Sequence, residues 1–139
     1  MCEPDMVIAA VARCRLEVTG AYHSAVFALS CGIPVVGMAQ SDYYHAKLGG
    51  LATQFGVEGA MAVLRYDDPD LPSRLESAIH DFWDRSGTVA KPLREAAQQQ
   101  VRLSREAYTA FFDRVDAATA RRPRCQPAAL GAKPLADHA

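Results

Sequence analysis

His23 and Lys47 are the candidate reactive residues of this chain, because of their side chains and their positions in the sequence. His23 comes shortly after a glycine turn, in the first turn of a predicted helix. A helix N-terminus presents N–H groups without intrahelical partners and a positive dipole end, so an anion can bind there. An imidazole beside that anion can transfer a proton, and the ammonium of Lys47 can hold a negative charge. The structural alternatives are a helix-terminus histidine and a solvated surface lysine.

A strand–helix–strand unit is predicted to position these two residues. Residues 16–19 form a short, partly β-branched segment, and Gly20 allows the sharp turn that follows it. Residues 21–31 then have the apolar spacing of a helix, which Gly32 is predicted to end. Residues 35–39 are a short apolar run, as in a strand that is buried on both faces.

This βαβ unit implies a parallel sheet and therefore a place for a ligand. Its two strands end at the same edge of the sheet, and the ligands of open α/β proteins bind beyond that edge. We therefore expect His23 and Lys47 to lie at one rim. Tyr43 and Tyr44, in the same loop as Lys47, suit either a sugar face or ordinary packing. No acidic residue lies close in sequence to Ser24, so a serine nucleophile is not predicted.

Five further elements are predicted along the chain. They are an apolar helix at 6–14, a helix at 42–55, a third strand at 59–65, an amphipathic helix from 71 that ends at Ser86 and Gly87, and a long helix at 89–120. The helix at 6–14 is apolar over most of its circumference, which predicts burial. Asp70 is the predicted N-cap of the amphipathic helix. Residues 121–139 lack periodicity and are predicted to form a disordered tail.

Composition limits the classes of function. The chain of 139 residues has a net charge of −1, which gives no support for bulk binding to nucleic acid or membranes. Its four cysteines are far apart, so neither a zinc site nor a disulfide framework is favoured. The acidic run at residues 67–70 fits a turn and an N-cap better than a metal site. The sequence shows no apolar run of about 20 residues and no secretory signal, so we predict a cytoplasmic protein that needs no metal or cofactor.

The motif around His23 resembles a known family. Residues 18–29, VTGAYHSAVFAL, followed by residues 32–37, GIPVVG, are similar to the C-terminal half of the polysaccharide pyruvyl transferases. These enzymes have a two-domain fold like that of the GT-B glycosyltransferases and transfer a pyruvyl group from phosphoenolpyruvate to a sugar as a ketal. The resemblance matches His23 to the motif histidine and Lys47 to the motif lysine, whereas Ala21 stands where the motif has an arginine.

The resemblance implies a fold, a site and partners. The fold is α/β, a Rossmann-like parallel sheet flanked by helices and followed by a long C-terminal helix, with residues 1–120 as a GT-B-like C-terminal domain. His23 is the implied catalytic acid and base. The implied substrate-binding residues are Thr19, Gly20, Tyr22, Ser24 and Lys47. The implied partners are phosphoenolpyruvate, a sugar or polysaccharide-precursor acceptor, and either an N-terminal domain or a second copy of the chain.

Two other functions stay open at this point. A GT-B glycosyltransferase would bind a nucleotide-sugar donor, and an acidic residue that holds the ribose would favour it, but none is evident between Gly20 and Phe55. A non-catalytic domain that binds another chain is the second alternative, and the apolar faces of the first and last predicted helices support it. The chain is interpreted as a fragment of a longer enzyme or one part of a split protein, so it is expected to be inactive alone.

Overall fold

A parallel three-stranded sheet lies at the centre of the structure, a computed structural model that describes residues 4–120. Its strands are β1 (Glu17–Thr19), β2 (Val35–Ala39) and β3 (Met61–Arg65), and they are ordered β1-β2-β3. β2 pairs in parallel with both neighbours, so that Thr19 lies opposite Gly37 and Ala39 lies opposite Arg65. Helices flank this sheet, which confirms the predicted α/β class.

The central strand β2 is buried along its whole length, as its continuous apolar sequence predicted. Successive side chains of a strand point to opposite faces of a sheet, and Val35 and Val36 accordingly belong to two different hydrophobic clusters. The first cluster contains Leu29 and Leu48, and the second contains Phe82. Packing on both faces of β2 therefore holds the helices to the sheet.

Two helices connect the strands, and both end where glycine was predicted to end them. α2 (Tyr22–Cys31) joins β1 to β2, and α3 (Asp42–Phe55) joins β2 to β3. Gly32 and Gly56 follow them in the left-handed conformation, with φ of 85° and 63°. Glycine adopts that conformation without the steric cost that a Cβ imposes.

The first helix has different bounds from those that the sequence predicted. α1 spans Pro4–Val11 and not residues 6–14, because the chain turns after Val11. Val11 is buried and Val7 packs against the same cluster, whereas Met6 is 62% exposed. One side of the helix is therefore packed, in line with the predicted burial, and the other side faces outward.

The predicted break between the last two helices is also wrong. α4 runs without interruption through Leu71–Ala120 and includes both Ser86 and Gly87. Ser86 is buried, and its hydroxyl donates to the carbonyl of Trp83 (2.8 Å) and accepts from Nε of Arg15 (2.9 Å). A glycine costs a helix only about 1 kcal/mol. Phe82 is buried before Gly87 in the helix, and other α4 residues are buried after it. The free energy gained by burying these side chains outweighs the cost of the glycine.

The chain divides into two units, Met1–Ser104 and Arg105–Ala139. In the second unit the structure describes residues 105–120, which are helical and exposed throughout. The disordered tail predicted at residues 121–139 lies outside the described residues. None of the helices within residues 4–120 is both long enough and apolar enough to cross a membrane.

Alanine substitutions at two glycines test how these helices are held. At Gly32, a Cβ would lie 2.6 Å from the carbonyl oxygen of Ala90 and the residue would keep a positive φ. We expect Gly32→Ala to lower the free energy of unfolding by about 2 kcal/mol or more. Gly50 lies inside α3 with open space around it, and Gly50→Ala should raise that free energy by about 0.5–1 kcal/mol. Urea unfolding followed by circular dichroism measures the free energy of unfolding of both variants. Equal changes in that free energy would contradict this account of Gly32.

Candidate functional site

The carboxyl ends of the three parallel strands form one edge of the sheet, as expected from the βαβ pattern. The chain leaves this edge through Gly20 after β1, Gln40 after β2 and Tyr66 after β3. The backbone N–H of Tyr66 donates to the carbonyl of Ala39 (3.0 Å), which continues the pairing of β2 and β3 to the rim. Residues from three loops therefore meet at the place where α/β proteins bind ligands.

The turn after β1 is shaped by Thr19 and Gly20. The Thr19 hydroxyl accepts a hydrogen bond from the backbone N–H of Ala21 (3.1 Å). A Cβ on Gly20 would lie 3.2 Å from the carbonyl oxygen of Met38, so glycine allows a close approach of the turn to β2. Both residues thus have a structural role at the rim, and their contact with a substrate stays a prediction.

The N-terminus of α2 opens at this turn. Its N-cap is Ala21, which has an extended backbone (φ −89°, ψ 116°) and supplies no side-chain hydrogen bond to the helix. The first-turn N–H groups of an α-helix have no acceptor within the helix. They are therefore available to an external anion, and the exposed His23 stands among them.

Tyr22 lies between the two residues that the sequence singled out. Nζ of Lys47 is 4.4 Å from the centre of the Tyr22 ring and 5.9 Å from the centre of the Tyr43 ring. The His23 ring meets the Tyr22 ring edge-on, with centroids 5.7 Å apart and planes at 83°. An ammonium within about 6 Å of an aromatic ring is attracted to its face. The structure thus brings Lys47 of α3 to the neighbouring residues Tyr22 and His23 at the start of α2.

Ser24 is engaged inside the fold by a residue that the sequence analysis missed. Its hydroxyl donates to Oε1 of Glu17, at the start of β1. The other carboxylate oxygen of Glu17 is buried and has no hydrogen-bond partner in the described part of the chain. No local pattern indicates this pair, because the helix must first pack against β1. Contact of Ser24 with a substrate stays a prediction.

An ionic network occupies the rim after β3. The guanidinium of Arg65 donates to Asp42 in the first turn of α3 and to Asp67, with its Nε 2.8 Å from Oδ1 of Asp67. Hydrogen bonding to Asp67 and Asp42 raises the pKa of Arg65, and the bond from Arg65 lowers the pKa of Asp67. Asp42 is also the acidic residue between Gly20 and Phe55 that the sequence analysis overlooked. Arg65 binds the carboxylate of Asp42, so Asp42 gives no support to the binding of a ribose.

The acidic run that follows is a turn, as the sequence indicated. The Asp68 carboxylate accepts from the backbone N–H of Asp70 (2.9 Å) and from the guanidinium of Arg74. These two interactions, the backbone hydrogen bond first, lower the pKa of Asp68. α4 begins at Leu71, and the carbonyl of Asp70 accepts from the backbone N–H of Arg74 (3.0 Å), so Asp70 occupies the predicted N-cap position. Residues 4–120 contain no group of side chains that could hold a metal ion.

Tyr66 is a further rim residue that the sequence analysis missed. It is 54% exposed, and its hydroxyl would lie 3.9 Å from a Cβ on Gly20. The Tyr66 side chain therefore reaches from the end of β3 to the turn after β1. The rule that located Lys47 would have located it too, because the residue directly follows the third predicted strand.

Acid should weaken the turns at the end of β3. The folded-state pKa values of Asp67 and Asp68 are lowered, so their stabilising effect is complete above the unfolded value of about 4. This effect is lost as the pH falls from about 4 towards 2. We expect the double variant Asp67→Asn, Asp68→Asn to be less stable than the wild type at pH 7 and to lose less stability at pH 3.

Urea midpoints measured at several pH values check this, with Asp70→Asn as the control for loss of one carboxylate. Parallel pH profiles for the double variant and the wild type would contradict the assignment of the ion pairs.

Comparisons with known proteins were made for the whole chain. No family model, no curated protein and no solved structure matches it. The resemblance around His23 therefore rests on the motif residues themselves.

Proposed function

We propose that this chain is a GT-B-like C-terminal domain of polysaccharide pyruvyl transferase type. The proposed reaction transfers a pyruvyl group from phosphoenolpyruvate to a pair of sugar hydroxyls. One observation carries the proposal beyond the motif. The two matched residues, His23 and Lys47, both contact the ring of Tyr22 at the carboxyl edge of the sheet. The contact supports the proposal because it leaves an imidazole and an ammonium within reach of one bound donor.

The charges at the rim suit the donor. Phosphoenolpyruvate carries a carboxylate and a phosphate, and the N-terminus of α2 together with the Lys47 ammonium offers two places for anions. Ala21 replaces the motif arginine, so that the side-chain cation of this cluster is Lys47. Arg65 is close to the same edge, but Asp42 and Asp67 neutralise it.

The reaction requires that protons be removed from the sugar hydroxyls and that one be delivered to carbon. The methylene carbon of phosphoenolpyruvate gains a proton, and each attacking sugar hydroxyl loses one as it bonds to the neighbouring carbon. The C–O bond to the phosphate breaks, the phosphate takes the second hydroxyl proton as it leaves, and the two new C–O bonds form the ketal. The exposed His23 can accept a hydroxyl proton and deliver a proton to carbon, because imidazole exchanges protons near neutral pH.

The remaining rim residues have supporting roles in the proposal. Gly20 keeps the turn close to β2 and Thr19 holds it. Tyr22 orients Lys47 through its ring. Tyr43 is 67% exposed beside Lys47 and offers an aromatic face to the sugar acceptor. In the resembled two-domain fold the cleft supplies charges to the donor from both domains, so turnover is proposed to need an N-terminal domain as partner.

The catalytic role of His23 is tested in an assembly with an N-terminal domain, supplied by fusion or co-expression. His23→Gln keeps a polar side chain of similar length but cannot cycle a proton. We expect kcat for sugar-dependent phosphate release to fall by about 10²–10⁴-fold. The effect should fall on kcat because the proton is in transfer only in the transition state.

His80→Gln is the matched control, since His80 is an exposed residue of α4. It should leave kcat unchanged. A folded His23→Gln variant with near-normal kcat would remove His23 from the reaction.

The role of Lys47 is tested by binding as well as by kinetics. Lys47→Met keeps the aliphatic stem and removes the charge, so the KM for phosphoenolpyruvate should rise about tenfold or more while kcat changes less. Titration calorimetry of the isolated chain with phosphoenolpyruvate should show the same loss of affinity. Lys91→Met is the control, because Lys91 lies on α4 beside Glu95 (3.8 Å). Equal affinities of Lys47→Met and wild type would exclude Lys47 as a donor ligand.

A further inference from the structure

Four exposed apolar side chains form a continuous surface on the last part of α4. Tyr108, Phe111, Phe112 and Val115 are 65%, 59%, 58% and 40% exposed. Their spacing of three, four and seven residues places them on one face of the helix. The rings of Phe111 and Phe112 meet edge-on with centroids 5.5 Å apart. We call these four residues the aromatic stripe.

A stripe of this kind marks an interaction surface. Exposed apolar patches are costly in water, and contiguous ones indicate binding sites. Three aromatic side chains with about three-fifths of their surface exposed leave roughly 350 Å² per chain to be covered. With Val115, two such stripes would bury roughly 800 Å², below the standard size of a specific interface, so pairing should be weak and depend on concentration.

The charges beside the stripe indicate which partner it fits. Arg105 and Asp116 are eleven residues apart, or about three helical turns, so they lie along the same flank of the stripe and near its opposite ends. Both are exposed, and neither forms an ion pair within residues 4–120. The flank is therefore basic at one end and acidic at the other.

A second copy of the chain matches this arrangement when it runs antiparallel. Each Arg105 then lies near Asp116 of the other copy, whereas in a parallel pair the two charged flanks would lie on opposite sides of the contact and could not pair. The same alignment places Tyr108 of each chain within one residue of Phe112 of the other, and aromatic pairs prefer edge-on or offset contacts. The opposed helix dipoles also favour the antiparallel order.

We propose that residues 105–120 of two copies of this chain pair antiparallel through the aromatic stripe. The contact makes a homodimer with a two-fold axis between Tyr108 and Phe112. The inference does not depend on pyruvyl transfer, since none of these residues belongs to the rim of the sheet.

Sedimentation equilibrium of the full chain tests the dimer. Between about 5 and 500 µM the weight-average mass should rise from one chain towards two. Phe111→Gln should keep the helix content by circular dichroism, because Phe111 is exposed, and should raise the dissociation constant at least tenfold. A wild-type chain that stays monomeric over this range would overturn the proposal.

An exchange of charge tests the antiparallel order. Arg105→Glu and Asp116→Arg each place like charges together twice in a homodimer, so each variant alone should dimerise about tenfold more weakly or worse. An equimolar mixture of the two restores both opposite-charge pairs and should dimerise about as tightly as the wild type. Asp113→Arg, with the same charge change on a position that faces away from the stripe, is the control and should behave as the wild type.

Two further outcomes would contradict the proposal. If the mixture stays monomeric, the copies do not pair antiparallel and the proposal fails. If Asp113→Arg weakens the dimer as much as Asp116→Arg, net charge and not the stripe controls association, and the proposal fails likewise.

Discussion

Burial of β2 on both faces is the constraint on which the rest of the structure depends. Its five residues offer no polar side chain to water, and the two clusters on either side of Val35 and Val36 hold helices against the sheet. A strand of this kind is stable only in a parallel sheet that helices cover on both faces. The crossover helix α2 and the next helix α3 follow from that requirement, and so does the common edge at which the three strands end.

The candidate site is a consequence of this edge. Because parallel strands end together, the uncapped start of α2, the aromatic and basic side chains of α3, and Tyr66 after β3 come to one rim. Tyr22 has a central position there, since its ring contacts both His23 and Lys47. The proposed pyruvyl transfer uses these contacts to hold an anion and to move a proton. The proposed pairing of α4 uses a different surface, so that the two proposals can fail separately.

The two cations at the rim, Arg65 and Lys47, have different surroundings. Arg65 is paired with the carboxylates of Asp42 and Asp67, which offset its positive charge. Lys47 is held instead by the faces of aromatic rings, which orient an ammonium without cancelling its charge. Two cations at one edge of a sheet thus have different chemical capacities. A count of basic residues would not distinguish them.

The elements that could be predicted from the sequence are those specified by a few neighbouring residues. Gly32 and Gly56 ended their helices, and the apolar run at Val35–Ala39 formed the central strand, because steric rules and periodicity act over a few residues. Features that depend on distant partners required the folded structure. Packing carried α4 through Gly87, folding joined Ser24 to Glu17, and the approach of α2 and α3 set Lys47 against Tyr22. These contacts join residues that the chain separates, so no local pattern contains them.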